Sequence, residues 1–265
     1  MRRFVILVTG LALLLVPAGS AIAGGLPDGP VYIALGDSDA FGVGTPTPEH
    51  LGYVAVLDRW AHALDCRDGQ PAACPRLELV NLSVPGAQSP DLIATQLQPA
   101  LQLIAERNGD TEPANDVILI TVTIGGNDLF RPVIDNCSGG PTSACGQAIA
   151  TVFTTYAVNL AQILSQLRAA AGPDTQIVVM TYDNPLGACF LAPLEPFGDV
   201  VLEAGPGLSI GFNDIIRSVA AATDVEVADT FGRLDIGDYV GGDDCLHPDI
   251  SGHLKIARIF EEVIS

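Results

Sequence analysis

Strand-length apolar runs alternate with longer stretches of helical period along nearly the whole chain, and that alternation leaves few folds open. Val31-Tyr32-Ile33-Ala34-Leu35 is the first run, and a shorter one covers 79–82. The clearest strand spans 116–124, where Val117-Ile118-Leu119-Ile120 is apolar at consecutive positions. A strand covered by helices on both faces reads that way, whereas a half-exposed strand alternates. Runs at 176–181 and 225–228 follow. Between and after them, apolar residues recur at helical spacing over 53–64, 90–105, 147–171, 209–222 and 251–264. Strands alternating with helices imply parallel pairing through right-handed crossovers, hence an α/β fold built as a three-layer α/β/α sandwich. Two stretches, 135–146 and 183–207, read as loops. The second is rich in Pro, Gly, Leu and Phe, and a loop of that length in a compact domain is usually functional.

The first two dozen of the 265 residues stand apart. Arg2 and Arg3 precede an uncharged apolar core over 4–16, and Ala21-Ile22-Ala23 is a small-x-small cleavage pattern. Residues 1–23 are therefore expected to be a secretory signal peptide, leaving 24–265 as one exported domain. An uncleaved anchor is the alternative, but the apolar core is short of the roughly 20 residues of a spanning helix. No second long apolar segment is expected to span a membrane in the mature chain.

The sequence carries 12 basic and 31 acidic residues, a formal charge of −19, or −21 without Arg2 and Arg3. Such a surface repels phosphate backbones and anionic headgroups, which argues against nucleic acid as a partner and favours uncharged substrates. A monomer is expected. Six cysteines in an exported chain read as disulfides rather than metal ligands. Local pairing joins Cys66 to Cys74 and Cys137 to Cys145, which leaves Cys189 for Cys245.

Polar motifs fall at or beyond the C-terminal ends of four expected strands, where open parallel sheets bind ligands. Gly36-Asp37-Ser38 follows the first and Gly86 the second. Gly125-Gly126-Asn127-Asp128 follows the third, and Asp244-Cys245-Leu246-His247 lies beyond the fifth. Acyl transfer to water needs a nucleophile, a base, a group to orient the base, and donors for an oxyanion. Ser38 supplies a hydroxyl, His247 a base, and Asp244 a carboxylate three residues away. The oxyanion donors are the backbone N–H groups of Ser38 and Gly86 with the amide of Asn127. The blander readings make Ser38 a helix cap and Asn127 and Asp128 turn formers. Asp243, four residues before His247, rivals Asp244.

These four blocks resemble those of the SGNH-hydrolase superfamily, the GDSL-type lipases and esterases, over about 31–264. The resemblance implies a flavodoxin-like order for a five-stranded parallel sheet. It also implies a Ser38–His247–Asp244 triad, an oxyanion hole of Ser38, Gly86 and Asn127, and no cofactor or metal. The family spacing favours Asp244 over Asp243. The implied activity is that of a secreted carboxylic ester hydrolase, a lipase or esterase working through an acyl-enzyme. An acyltransferase, a carbohydrate O-deacetylase and a silent binding module are the alternatives. One residue departs from the pattern: the family usually has Leu or another apolar or small residue after the serine, and here it is Asp39, expected to face solvent in the first helical turn. The GxSxG elbow of the α/β-hydrolases is absent around Ser38.

Residues outside the four blocks have quieter readings. His62, four residues after Asp58, suits a surface ion contact, His50 lies in a Pro-rich loop, and His253 suits packing. The acid-rich run 235–249 lacks the alternating ligands of a calcium loop. The apolar segment 187–194 either lines an acyl pocket or plugs the core; the first option, with export, favours lipid or fatty-acyl esters. Asn81-Leu82-Ser83 is a glycosylation sequon that reads as a chance match.

Overall fold

The protein is described by a computed structural model over residues 29–65, 77–137, 140 and 142–264, without the side chains at 64, 65 and 245. The expected signal peptide and the Cys66–Cys74 pair lie outside the described residues. Strands β1 (Val31–Gly36), β2 (Glu78–Asn81), β3 (Val117–Thr123), β4 (Gln176–Met180) and β5 (Glu226–Ala228) form one sheet in the order β2-β1-β3-β4-β5. All four pairings are parallel. The sheet thus has the flavodoxin-like order. Strands β6 (Tyr239–Gly241) and β7 (Asp244–Pro248) form a separate antiparallel hairpin that the apolar pattern did not predict.

The helices are α1 (Ser38–Phe41), α2 (Pro48–Leu51), α3 (Tyr53–Asp65), α4 (Ser89–Thr95), α5 (Leu97–Arg107), α6 (Gly126–Cys137), α7 (Ser143–Ala171), α8 (Glu195–Glu203), α9 (Phe212–Ala222) and α10 (Ile250–Val263). Helix α10 packs on α3, while α4, α5, α6 and α9 pack on α7. Right-handed crossovers put these two groups on opposite faces of the sheet, giving the three layers. Every residue of β1 is buried, as its unbroken apolar run requires. Ring stacking ties the helices to the core, with Tyr53 on Phe260 at 5.1 Å and Tyr156 on Phe212 at 4.3 Å between centroids.

Several boundaries differ from the sequence expectation, each for a local reason. The strand 116–124 is not covered on both faces throughout: Ile118 is 39% exposed, at the point where the register with β1 shifts and skips it, from Val31 opposite Val117 to Tyr32 opposite Leu119. The helix expected over 90–105 breaks at Gln96, whose side chain clamps Gly36. The Gln96 Oε1 accepts from Gly36 N at 2.9 Å and its Nε2 donates to Gly36 O at 2.8 Å. The 135–146 loop is mostly helix, since α6 runs to Cys137 and α7 starts at Ser143 behind the Thr142 cap. The Cys137–Cys145 disulfide forms as expected, with Cα atoms 4.9 Å apart, and so joins two helix ends. The 183–207 stretch contains α8, which begins with Glu195-Pro196; Pro suits a first helical turn, where its missing N–H has no intrahelical partner.

Cys189 is also disulfide-bonded, and the side chain of its expected partner Cys245 lies outside the described set. Helix α7, at 29 residues, is long and apolar enough to cross a membrane by length and composition. Its apolar face, including Phe153, Tyr156, Leu160 and Leu164, is buried in the core of this domain.

The chain leaves β1 towards β2 on one side and leaves β3 towards β4 on the other. The crevice at the C-terminal ends of these two neighbours is the topological switch point of the sheet.

Candidate active site

Gly36 ends β1 at φ +150°, and a Cβ there would sit 2.1 Å from the Thr123 carbonyl oxygen of β3. Only glycine fits. Past it, the Asp37 N–H donates to Thr123 O at 3.0 Å, holding the turn against the end of β3. Ser38 follows as the first residue of α1 and is 8% exposed. Among the described hydrogen bonds, none engages the Ser38 hydroxyl or its N–H.

Gly86 lies beside it in a tight turn at φ +82°, a conformation that favours glycine. The turn is anchored at both ends, by Val84 N to Gly36 O and Ala87 N to Val84 O, each 3.0 Å. The neighbouring loop is braced to the start of α6. Ser89 donates its N–H and its hydroxyl to the Asp128 carboxylate at 2.8 and 2.5 Å. Asn127 Nδ2 donates to Ala87 O at 3.1 Å, and Gln88 Nε2 returns a bond to Asn127 O at 3.1 Å. Burial pushes the Asp128 carboxyl above its ordinary range, with the Ser89 bonds opposing. Gln88, Ser89 and Gln96 were not singled out in the sequence. For Ser89 a signal existed, since Ser-Pro before an apolar run opens a helix.

His247 and Asp244 lie on β7, reached through Gly241 and Gly242 at φ +72° and +67°. Gly241 pairs with Asp244, so Gly242-Asp243 is the two-residue turn, and a glycine at its first position is a hairpin signal that apolar periodicity does not carry. Asp244, not Asp243, meets the imidazole: His247 Nδ1 lies 2.8 Å from Oδ2 and 2.9 Å from Oδ1. Oδ1 also accepts from the N–H groups of Leu246 and His247 at 3.1 and 3.2 Å. Burial pushes the Asp244 carboxyl up, but the His247 ring and these backbone donors outweigh it and hold it below its ordinary range. An ionised carboxylate only accepts, so the shared proton sits on Nδ1 and Nε2 presents its lone pair.

Three other acids of 235–249 have protein partners. Asp235 and Asp238 hold Lys255 at 2.7 and 2.5 Å, and Asp249 caps α10 through Ser251 N and Gly252 N. Among the described residues no cluster of three or more His, Cys, Asp and Glu is arranged to hold a metal. His253 is fully buried, accepting from Tyr53 N at 3.2 Å and donating to Val43 O at 2.9 Å, as a packing residue does. The Asn81 amide nitrogen donates to Ala40 O at 3.0 Å, bracing α1.

Ser38, Gly86, Asn127 and His247 all line one cavity of about 440 Å³. Phe130, Ile134, Met180, Leu234, Leu246 and Ile256 supply its apolar wall. The 187–194 segment does not line it, contrary to the acyl-pocket expectation, and Phe190 is 71% exposed. The wall comes instead from α6, β4, the segment leading into the hairpin, β7 and α10.

Asp39 also departs from expectation. It lines this cavity, half-buried, rather than facing solvent. The α1 turn is four residues long and its second residue points along the crevice wall. Burial pushes the Asp39 carboxyl up from 3.8 to about 6, with His247 opposing and Asp244 adding to the shift. The folded chain therefore binds more protons than the unfolded chain between those two values, and stability falls as pH rises through that window. Asp39→Asn removes this penalty. It is expected to melt a few degrees above wild type at about pH 8 and level with it near pH 4, read by calorimetry.

A model of the GDSL-like lipase/acylhydrolase family matches residues 34–255. No curated protein matches the sequence. Among solved structures, the lipase Lip_vut3 from goat rumen metagenome superposes with a TM-score of 0.63 at 19% identity, over 88% of this chain and 96% of that one. An extracellular lipase from Streptomyces rimosus gives 0.59 at 20% identity, over 88% and 99%. The acetylxylan esterase Axe2 from Geobacillus stearothermophilus gives 0.55 at 18%, over 89% and 95%. At these identities the superpositions speak to the fold. The family match runs from β1 into α10 and takes in all four polar blocks, and on it the chain belongs to the GDSL-like lipase/acylhydrolase family as a carboxylic ester hydrolase.

Proposed function

We propose that the protein is an exported esterase that cleaves lipid or fatty-acyl esters through an acyl-enzyme on Ser38. The observation that carries the reading is the Asp244–His247 pair, with an Nε2 lone pair on the same cavity as an unengaged serine hydroxyl. Ser38 Oγ attacks the ester carbonyl carbon as its proton passes to His247 Nε2. Charge gathers on the carbonyl oxygen, where the N–H groups of Ser38 and Gly86 and the second amide hydrogen of Asn127 are the available donors. Collapse breaks the bond to the alkoxy oxygen, which takes the proton from His247 and leaves as the alcohol. Water then repeats the sequence in reverse roles, releasing the carboxylic acid and restoring Ser38.

Among the described residues no hydrogen bond joins Ser38 Oγ to Nε2. Such contacts commonly tighten only when substrate is bound. The apolar wall supports an acyl chain as the buried part of the substrate. Arg2, Arg3 and the apolar core behind them support export, as does the Cys137–Cys145 disulfide. The test is covalent trapping. Incubation with a p-nitrophenyl phosphonate is expected to add one phosphonyl mass to the peptide carrying Ser38 and to release one equivalent of nitrophenol. Label on any other peptide, or none under conditions where p-nitrophenyl esters turn over, overturns the assignment.

A further inference from the structure

We propose that Asp39 is a specificity-determining residue, which accepts a hydrogen bond from the alcohol part of the ester and excludes esters whose alcohol part is anionic. This rests on the triad reading above, because that reading fixes which side of the cavity receives the alcohol. The imidazole hands its proton to the departing oxygen, so the alcohol lies on the His247 side. Asp39 belongs to that side: its helix α1 packs against β7, which carries His247, both residues line the cavity, and the His247 and Asp244 charges act on the Asp39 carboxyl. Its backbone N–H is spent on Asp37 Oδ1 at 3.1 Å. No described donor reaches its own carboxylate.

A carboxylate drawn partly out of water without a donor is costly. A hydroxyl arriving beside the scissile oxygen relieves that cost on binding. An alkyl group in the same place does not, and an anionic group adds repulsion in a poorly screened cavity. Among the groups that act on Asp39 only His247 offsets its charge, and Arg131, which also lines the cavity, lies against Gly86. Asp37 of the same turn is a buried acid, and the phenols of Tyr53, Tyr182 and Tyr239 are all held neutral by burial. Asp244 is already paired with His247.

Three acetyl esters that differ at one group test the idea: ethyl acetate, 2-hydroxyethyl acetate and O-acetylglycolate, with acetate release by the full mature chain as the readout. At about pH 8 the wild type is expected to favour the hydroxyethyl over the ethyl ester about tenfold in kcat/KM, and to disfavour the glycolate ester about tenfold or more. Near pH 5, with Asp39 protonated, the bias against glycolate shrinks. Asp39→Leu is expected to erase both preferences. Asp39→Asn keeps an acceptor oxygen, so it retains the hydroxyl preference and loses the charge bias, a split that a folding defect does not produce. If Asp39→Leu ranks the three esters as the wild type does, Asp39 is not the determinant, while Ser38-dependent turnover leaves the triad standing. If no ester is hydrolysed in a Ser38-dependent way, the triad reading fails and this proposal with it.

Discussion

Ser38→Ala is expected to lower kcat on p-nitrophenyl esters by about four to six orders of magnitude, and His247→Ala to do the same. The two residues act on one proton. Without the hydroxyl there is no acyl-enzyme to form, and without the imidazole the hydroxyl keeps its proton at neutral pH. The double variant is therefore expected to lose no more than either single one. What survives is catalysis by the oxyanion donors and by binding alone. The fold itself should stand. The Ser38 hydroxyl makes no described hydrogen bond, so trimming it leaves no buried partner unsatisfied. The His247 ring is 25% exposed at the cavity rim. Melting temperatures within about two degrees of wild type would show that the loss is chemical. Activity within tenfold of wild type for either variant would remove Ser38 or His247 from the mechanism.

The residues proposed for this chemistry at Ser38, Gly86 and Asn127 are legible because each follows a strand of the main sheet, and those strands are the easiest part of the sequence to read. Val31–Gly36 is buried throughout and Val117–Thr123 at every residue but Ile118, and the blocks behind them follow from position along the chain. The strand order was not in the periodicity; a run of apolar residues does not say which neighbour it pairs with, and the order came with the family resemblance. The supports of the site were hidden for another reason. Gln96 interrupts a helical stretch to hold Gly36, and Ser89 reaches Asp128 across 39 residues of sequence. Polar bonds of that range follow from the fold and leave no spacing rule behind. Asp39 departs from a rule that is sound for long surface helices. Acids do favour a first turn, but this turn is four residues long and lies along the crevice. Helix α8 escaped because Pro196 and Gly198 break the composition of an otherwise amphipathic stretch.

The Asp244–His247 pair makes the second large prediction, and here the detail of the hydrogen bonds decides its sign. Asp244→Asn keeps the shape of the side chain and removes one negative charge. Oδ1 of Asp244 accepts from the backbone N–H groups of Leu246 and His247 as well as facing the ring. Those two donors are fixed by the hairpin, so the asparagine is expected to turn its carbonyl oxygen towards them and its NH2 towards Nδ1. A donor at that place forces Nδ1 to be the acceptor and moves the imidazole proton to Nε2. The base then points an N–H at Ser38 instead of a lone pair. The loss expected for this tautomer error is about four orders of magnitude in kcat, far beyond that of a missing contact. Nitrogen NMR of the imidazole separates the two causes: the proton is expected on Nδ1 in the wild type and on Nε2 in the variant. A variant that keeps the proton on Nδ1 and most of its activity would show that the backbone donors do not set the orientation of residue 244, and that Asp244 acts on His247 through charge alone.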